Sequence, residues 1–136
     1  MHTRRLVPLL GALVLCLLPL GAADAGQPAK NATYAGSVHP YDTWTVDVSV
    51  KVGADTSRVK QVTVTVTCPA GTTTKTFDDV RIRKHGIFSA PRHISVSDPI
   101  IVGGQFKTAH KIKGTVQSEQ GPCASLSGIY DFTAKD

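Results

Sequence analysis

The densest run of chemistry-bearing side chains is Arg81-Ile82-Arg83-Lys84-His85. On a strand, alternate residues point to opposite faces. Arg81 and Arg83 then share one face, opposite Ile82. With Lys111 and Lys113 they could form an anion-binding patch, and an ordinary solvated face has the same pattern. A second cluster is aromatic: Tyr41-Asp42-Thr43-Trp44, with Tyr34 nearby. Aromatic faces on a β-domain can stack on sugar rings. Trp44 is in phase with Val46 and Val48, which assigns it to a core; Tyr41 is freer. The candidate ligand-binding residues are therefore Tyr41, Arg81 and Arg83.

Other chemistries find less support. Zinc or copper needs several ligands to converge. None of His39, His85, His93 and His110 stands two or four residues from another ligand, so no metal site is expected. His85 and His93 flank a loop and could meet. Carboxylate-pair hydrolysis needs two facing acids. Asp78 and Asp79 are sequential and would face opposite ways on a strand, while Asp42, Asp47, Asp98 and Asp131 look like turn or solvent-face residues. A serine nucleophile needs a base and a strained turn; there is no Gly-x-Ser-x-Gly. No glycine-rich loop is set to cradle phosphate. No catalytic residue, cofactor or enzymatic activity is expected.

The elements that must carry these side chains are strands. Threonine and valine abound, and both favour extended backbone. In Trp44-Thr45-Val46-Asp47-Val48-Ser49-Val50-Lys51-Val52 the apolar residues share one face. Residues 53–57 turn the chain. Val62-Thr63-Val64-Thr65-Val66-Thr67-Cys68 repeats the alternation, with Cys68 pointing inward; Val59 is out of phase, which predicts a bulge near Lys60-Gln61. Residues 69–73 read as a turn. Shorter strands follow at about 75–83, 87–89, 93–97, 100–107, 111–116 and 129–134. Tyr34-Ala35-Gly36 reads as an edge strand. A glycine pair, Gly103-Gly104, marks a close approach or bulge. No stretch has a helical apolar period. About seven to eight short strands predict an all-β fold: an antiparallel β-sandwich of immunoglobulin-like type, with a small barrel as the alternative.

Residues 1–25 read as a signal peptide. Arg4 and Arg5 precede an uncharged apolar run from Leu6 to Leu20, and Ala23 and Ala25 suit a signal peptidase. The run is shorter than the ~20 residues of a spanning helix. Arg4-Arg5 could mark the twin-arginine route, but the residues after it do not complete that pattern, so general secretion is expected. Cleavage before Gly26 removes two bases and one acid, which lowers the formal charge from +5 to +4. It leaves residues 26–136 as a single β-domain, with no further stretch of membrane length. It also removes Cys16, leaving Cys68 and Cys123 as a pair. Outside the cytoplasm such a pair oxidises, so a disulfide is expected. Nucleic acid is disfavoured by the export signal and the few aromatics. Asn31-Ala32-Thr33 is a formal glycosylation sequon.

One ordered set of residues carries a resemblance. It comprises Tyr34-Ala35-Gly36, Cys68 after a valine-rich strand, Gly86-Ile87-Phe88-Ser89, Gly104-Gln105-Phe106, Gly114-Thr115, Cys123 and Phe132-Thr133-Ala134. In this the chain resembles a loose group of small secreted actinobacterial proteins with no assigned function. The resemblance implies an exported bacterial β-domain with a disulfide, and it brings no activity. The expectation is a secreted or cell-envelope domain that works by binding or structure, its partner a cell-wall polymer or an extracellular protein. A carbohydrate or cell-wall module using Tyr41 is the alternative within binding. A small extracellular hydrolase or a protease inhibitor is the alternative of another class.

Overall fold

The computed structural model describes residues 26–94, 100–118, 123 and 128–136. Residues 1–25, expected to be a signal peptide, and Asp98 lie outside them. The described residues form one antiparallel sheet of eight strands: β1 Thr33–Tyr41, β2 Trp44–Val52, β3 Arg58–Cys68, β4 Gly71–Arg81, β5 Ile87–Ala90, β6 Ile100–Thr108, β7 Lys111–Ser118 and β8 Ile129–Lys135. Their order across the sheet is β4-β3-β2-β1-β8-β7-β6-β5. The outermost strands, β4 and β5, come back into contact with each other, so the sheet curls into a nearly closed barrel. The all-β expectation holds, and the barrel is the form it takes rather than two stacked sheets. The strands are long enough for a single sheet to wrap its own core.

The interior follows from the alternation. Val46, Val48, Val50 and Val52 on β2 point inward beside Val59, Val62, Val64 and Val66 on β3, all essentially buried. Burying each contributes roughly 1.5–3 kcal/mol. The far half is built differently. Phe88 and Phe132 reach over Gly104 and Gly114; a Cβ on either glycine would lie 2.7 Å from the facing ring. Phe106 fills the middle, its ring centroid 5.3 Å from that of Tyr34 and 5.7 Å from that of Phe88. Branched side chains thus fill one wall, and large rings fill the other across bare backbone.

The bulge near Lys60-Gln61 is present: pairing with β2 shifts register between Lys51↔Gln61 and Val52↔Val59. β4 makes a matching deviation. Phe77 pairs with Val62 and Val80 with Val59, and between them Asp79 adopts φ 56. Outside, hydroxyls pair across β3 and β4: Thr63 with Thr76 at 3.5 Å, Thr65 with Thr74 at 3.2 Å, and Thr72 with Thr67 at 3.4 Å.

Three local expectations are corrected. β1 is not an edge strand but lies between β2 and β8, because Gly36 lets the β8 backbone approach at Thr133. The turn after β3 is only Pro69-Ala70, and β4 starts at Gly71, so Thr72 and Thr73 extend the hairpin instead of turning the chain. His93 and Ile94 are not in a strand, and residues 95–99 lie outside the described residues.

The two ends of the barrel are closed differently. At the upper end, Cys68 and Cys123 form the expected disulfide, with a Cα–Cα distance of 5.8 Å. At the lower end, residues 26–32 run beneath the barrel. The Asn31 amide donates to Gly53 O, and the Ala32 carbonyl accepts from the Val52 amide. Gly26 rests on Gly86, where a side chain would collide with its backbone. The Ala29 amide donates to the Tyr34 hydroxyl, which donates in turn to Ala109 O.

Candidate functional site

The seam between β4 and β5 is where the barrel stays unclosed. β4 has 11 residues and β5 only 4, so most of the inner face of β4 has no facing strand among the described residues. One end is pinched: the Arg83 amide donates to Ile87 O at 2.7 Å, around a single 3-10 turn, Lys84–Gly86. A cleft of about 630 Å³ follows the seam. Its floor is apolar, built from Phe77, Val80, Ile82, Ala90 and Pro91. Phe77 and Ile82 are only half-buried and pack against the core from its edge.

The rim is cationic. Arg58, Arg81, Arg83, Lys84 and Arg92 line it, against Asp78 and Asp79 as its acids. Asp79 is committed to Arg58 at 2.5 Å. Asp78 accepts from the Gln61 side chain at 3.1 Å. Arg83 donates to the Ser89 hydroxyl at 3.4 Å. Among the described residues, Arg81, Lys84 and Arg92 form no ion pair with an acid. Four cations therefore face one uncommitted acid. A shallower groove continues past the 3-10 turn, sharing Ile82, Arg83 and Lys84 with the cleft.

Of the candidate residues, Arg81 and Arg83 are in this cleft and Tyr41 is not. Tyr41 ends β1, which with β8 lies in the middle of the strand order, on the wall opposite the seam. It is 57% exposed and meets Trp44 edge-on at 5.9 Å. Trp44 is half-buried against the core. Tyr130 joins them, its phenol pushed up first by desolvation and then by Tyr41. Lys111 and Lys113 stand on β7, with β6 between them and β5, and neither lines the cleft.

Asp78 and Asp79 do not part to opposite faces. The left-handed backbone at Asp79 breaks the alternation, and both line the cleft. His93 lines it as well, while His85 lines only the adjoining groove. His110 pairs with Asp136 at 3.0 Å on the lower end, and His39 sits 3.3 Å from the Thr45 hydroxyl. Among the described residues no three metal-ligating side chains converge, and no helix is long and apolar enough to cross a membrane.

Sequence reasoning found the Arg81–His85 run but missed Arg58 and Arg92. Each is a lone cation in its own segment. Pairing of β3 with β4 sets Arg58 opposite Arg81, and closure of the barrel brings Arg92 to the same rim. The residues on which the resemblance was drawn do other work: Tyr34, Gly36, Gly86, Phe88, Phe106, Gly114 and Phe132 are all packing residues. No family, no curated protein and no solved structure was found to match the chain.

Proposed function

We propose that this chain is an exported, non-catalytic binding domain that holds an anionic ligand in the cleft between β4 and β5. The observation that carries this is the cation excess of Arg58, Arg81, Arg83, Lys84 and Arg92 over an apolar floor at the unclosed seam. Clefts lined by one sign of charge concentrate ligands of the other. Export is supported by the signal-like residues 1–25 and by the buried disulfide, a bond typical of oxidising compartments. Sugar stacking has less behind it: of the aromatic cluster only Tyr41 is exposed.

The test is a titration of the purified protein with poly-glutamate and with polyphosphate. Reversing two rim charges, Arg81→Glu with Arg83→Glu, replaces attractions by repulsions. Exposed pairs are worth about 0.2–1 kcal/mol each, so two losses and two repulsions give about 2 kcal/mol, roughly a 30-fold weakening. The control pair Lys111→Glu with Lys113→Glu makes the same charge change on another face. Equal weakening by both pairs would mean that net charge, not the cleft, does the binding.

A further inference from the structure

We propose that the ligand of the cleft is an acidic, extended polypeptide segment of a partner protein, which adds to the barrel as a strand along the edge of β4 that no described strand pairs with. This rests on the anion-binding reading above and narrows it. Three observations point to a polypeptide rather than a simple polyanion.

First, the cleft lies along sheet edges. Among the described residues β4 pairs only with β3, and β5 pairs with β6 and makes one further bridge, from Ile87 to Arg83 just past the end of β4. A free strand edge presents a row of amides and carbonyls that a peptide can pair with. A phosphate polymer could accept from the amides but has no donor for the carbonyls. Second, floor and rim differ in chemistry. In a strand, successive side chains point to opposite sides. A segment alternating apolar and acidic residues would set its apolar side chains on Phe77 and Ile82 and turn its acids toward Arg81, Arg83 and Arg92. Lys75 lies over the Phe77 ring, 5.8 Å from its centroid, and adds a cation beside the floor. Third, size agrees. A strand of about five residues spans roughly 17 Å, which fits within the roughly 36 Å of an 11-residue strand.

A second copy of this chain does not suit the site. Its own β4 edge carries the same excess of cations, and like charges would oppose each other across the seam.

The experiment compares three probes by fluorescence anisotropy against the purified protein. They are a labelled peptide of about six alternating glutamates and valines, the same peptide with all its internal backbone nitrogens methylated, and labelled polyphosphate. Methylation keeps charge and side chains but removes strand hydrogen bonds. Losing two such bonds at about 1 kcal/mol each predicts roughly a 30-fold weakening. Arg81→Glu with Arg83→Glu should weaken the parent peptide further. Equal binding of parent and methylated peptides would overturn strand addition while leaving anion binding intact. Polyphosphate binding more tightly than the parent peptide would overturn the polypeptide assignment. Binding of none of the three would overturn both proposals.

Discussion

Replacing Tyr34 with phenylalanine removes a single hydroxyl from the lower end of the barrel, and its effect can be worked out in advance. The Tyr34 hydroxyl accepts from the Ala29 amide at 2.9 Å and donates to Ala109 O. The ring itself is fully buried against Phe106 and keeps its packing in the variant. The Ala29 amide also reaches Ala109 O directly, at 3.3 Å, so neither backbone group is orphaned. Two hydrogen bonds are lost at about 0.5–1.5 kcal/mol each, with part recovered by that direct contact. The expected loss is about 1–2 kcal/mol at neutral pH, a fall of roughly 0.5–1 M in the urea midpoint. The pH dependence is more distinctive. Desolvation holds the Tyr34 phenol above its ordinary value, outweighing the Ala29 amide, and Asp136 adds to the rise. A folded-state pKa raised above the unfolded one gives stability that is complete below about pH 10 and is lost as pH rises further. Wild type should therefore lose this contribution in alkali, and Tyr34→Phe has none to lose. The gap between the two should narrow above about pH 10. Tyr130 shifts in the same direction, but it is present in both proteins and cancels. Urea melts of both proteins from neutral to strongly alkaline pH make the comparison. A gap that stays constant throughout would refute the role given to the hydroxyl.

Two further predictions concern the frame. Reducing Cys68–Cys123 opens a loop with a sequence separation of 55; the loop-entropy relation gives about 4 kcal/mol, so the urea midpoint should fall by roughly 1–4 M, and a change below about 0.5 M would contradict this. Gly36→Ala puts a methyl 2.9 Å from the Thr133 carbonyl carbon at the β1–β8 junction, whereas Gly53→Ala meets nothing closer than 4.0 Å. The first should cost about 1–3 kcal/mol and the second less than about 0.5 kcal/mol, both read from urea melts; equal effects would show that close approach is not why Gly36 is there.

How far the sequence spoke depends on the range of each interaction. Alternation in β2 and β3 is local, so Val46 to Val66 and the inward Cys68 could be read off directly. So could the bulge, because Val59 falls out of phase with Val62. The end-to-end closure of the sheet could not. It depends on β4 and β5 meeting, and those strands are separated in the strand order by all the others. The cleft shares that origin. Arg81 and Arg83 were legible as neighbours in sequence; Arg58 and Arg92 became neighbours only through folding. Asp79 hid for another reason: its positive φ breaks the alternation from which side-chain direction was inferred. The glycines were legible as close approaches, but not which ring or strand would approach them.

Mapping the bound ligand on the protein decides where binding occurs. Amide shifts of the isotope-labelled protein, followed during addition of poly-glutamate, should move first along the seam: Arg81, Arg83, Ser89 and Arg92, with Phe77 on its floor. Shifts centred instead on Tyr41, Trp44 and Tyr130, or on Lys107 and Lys113 of β6 and β7, would contradict the placement of the site in the β4–β5 cleft.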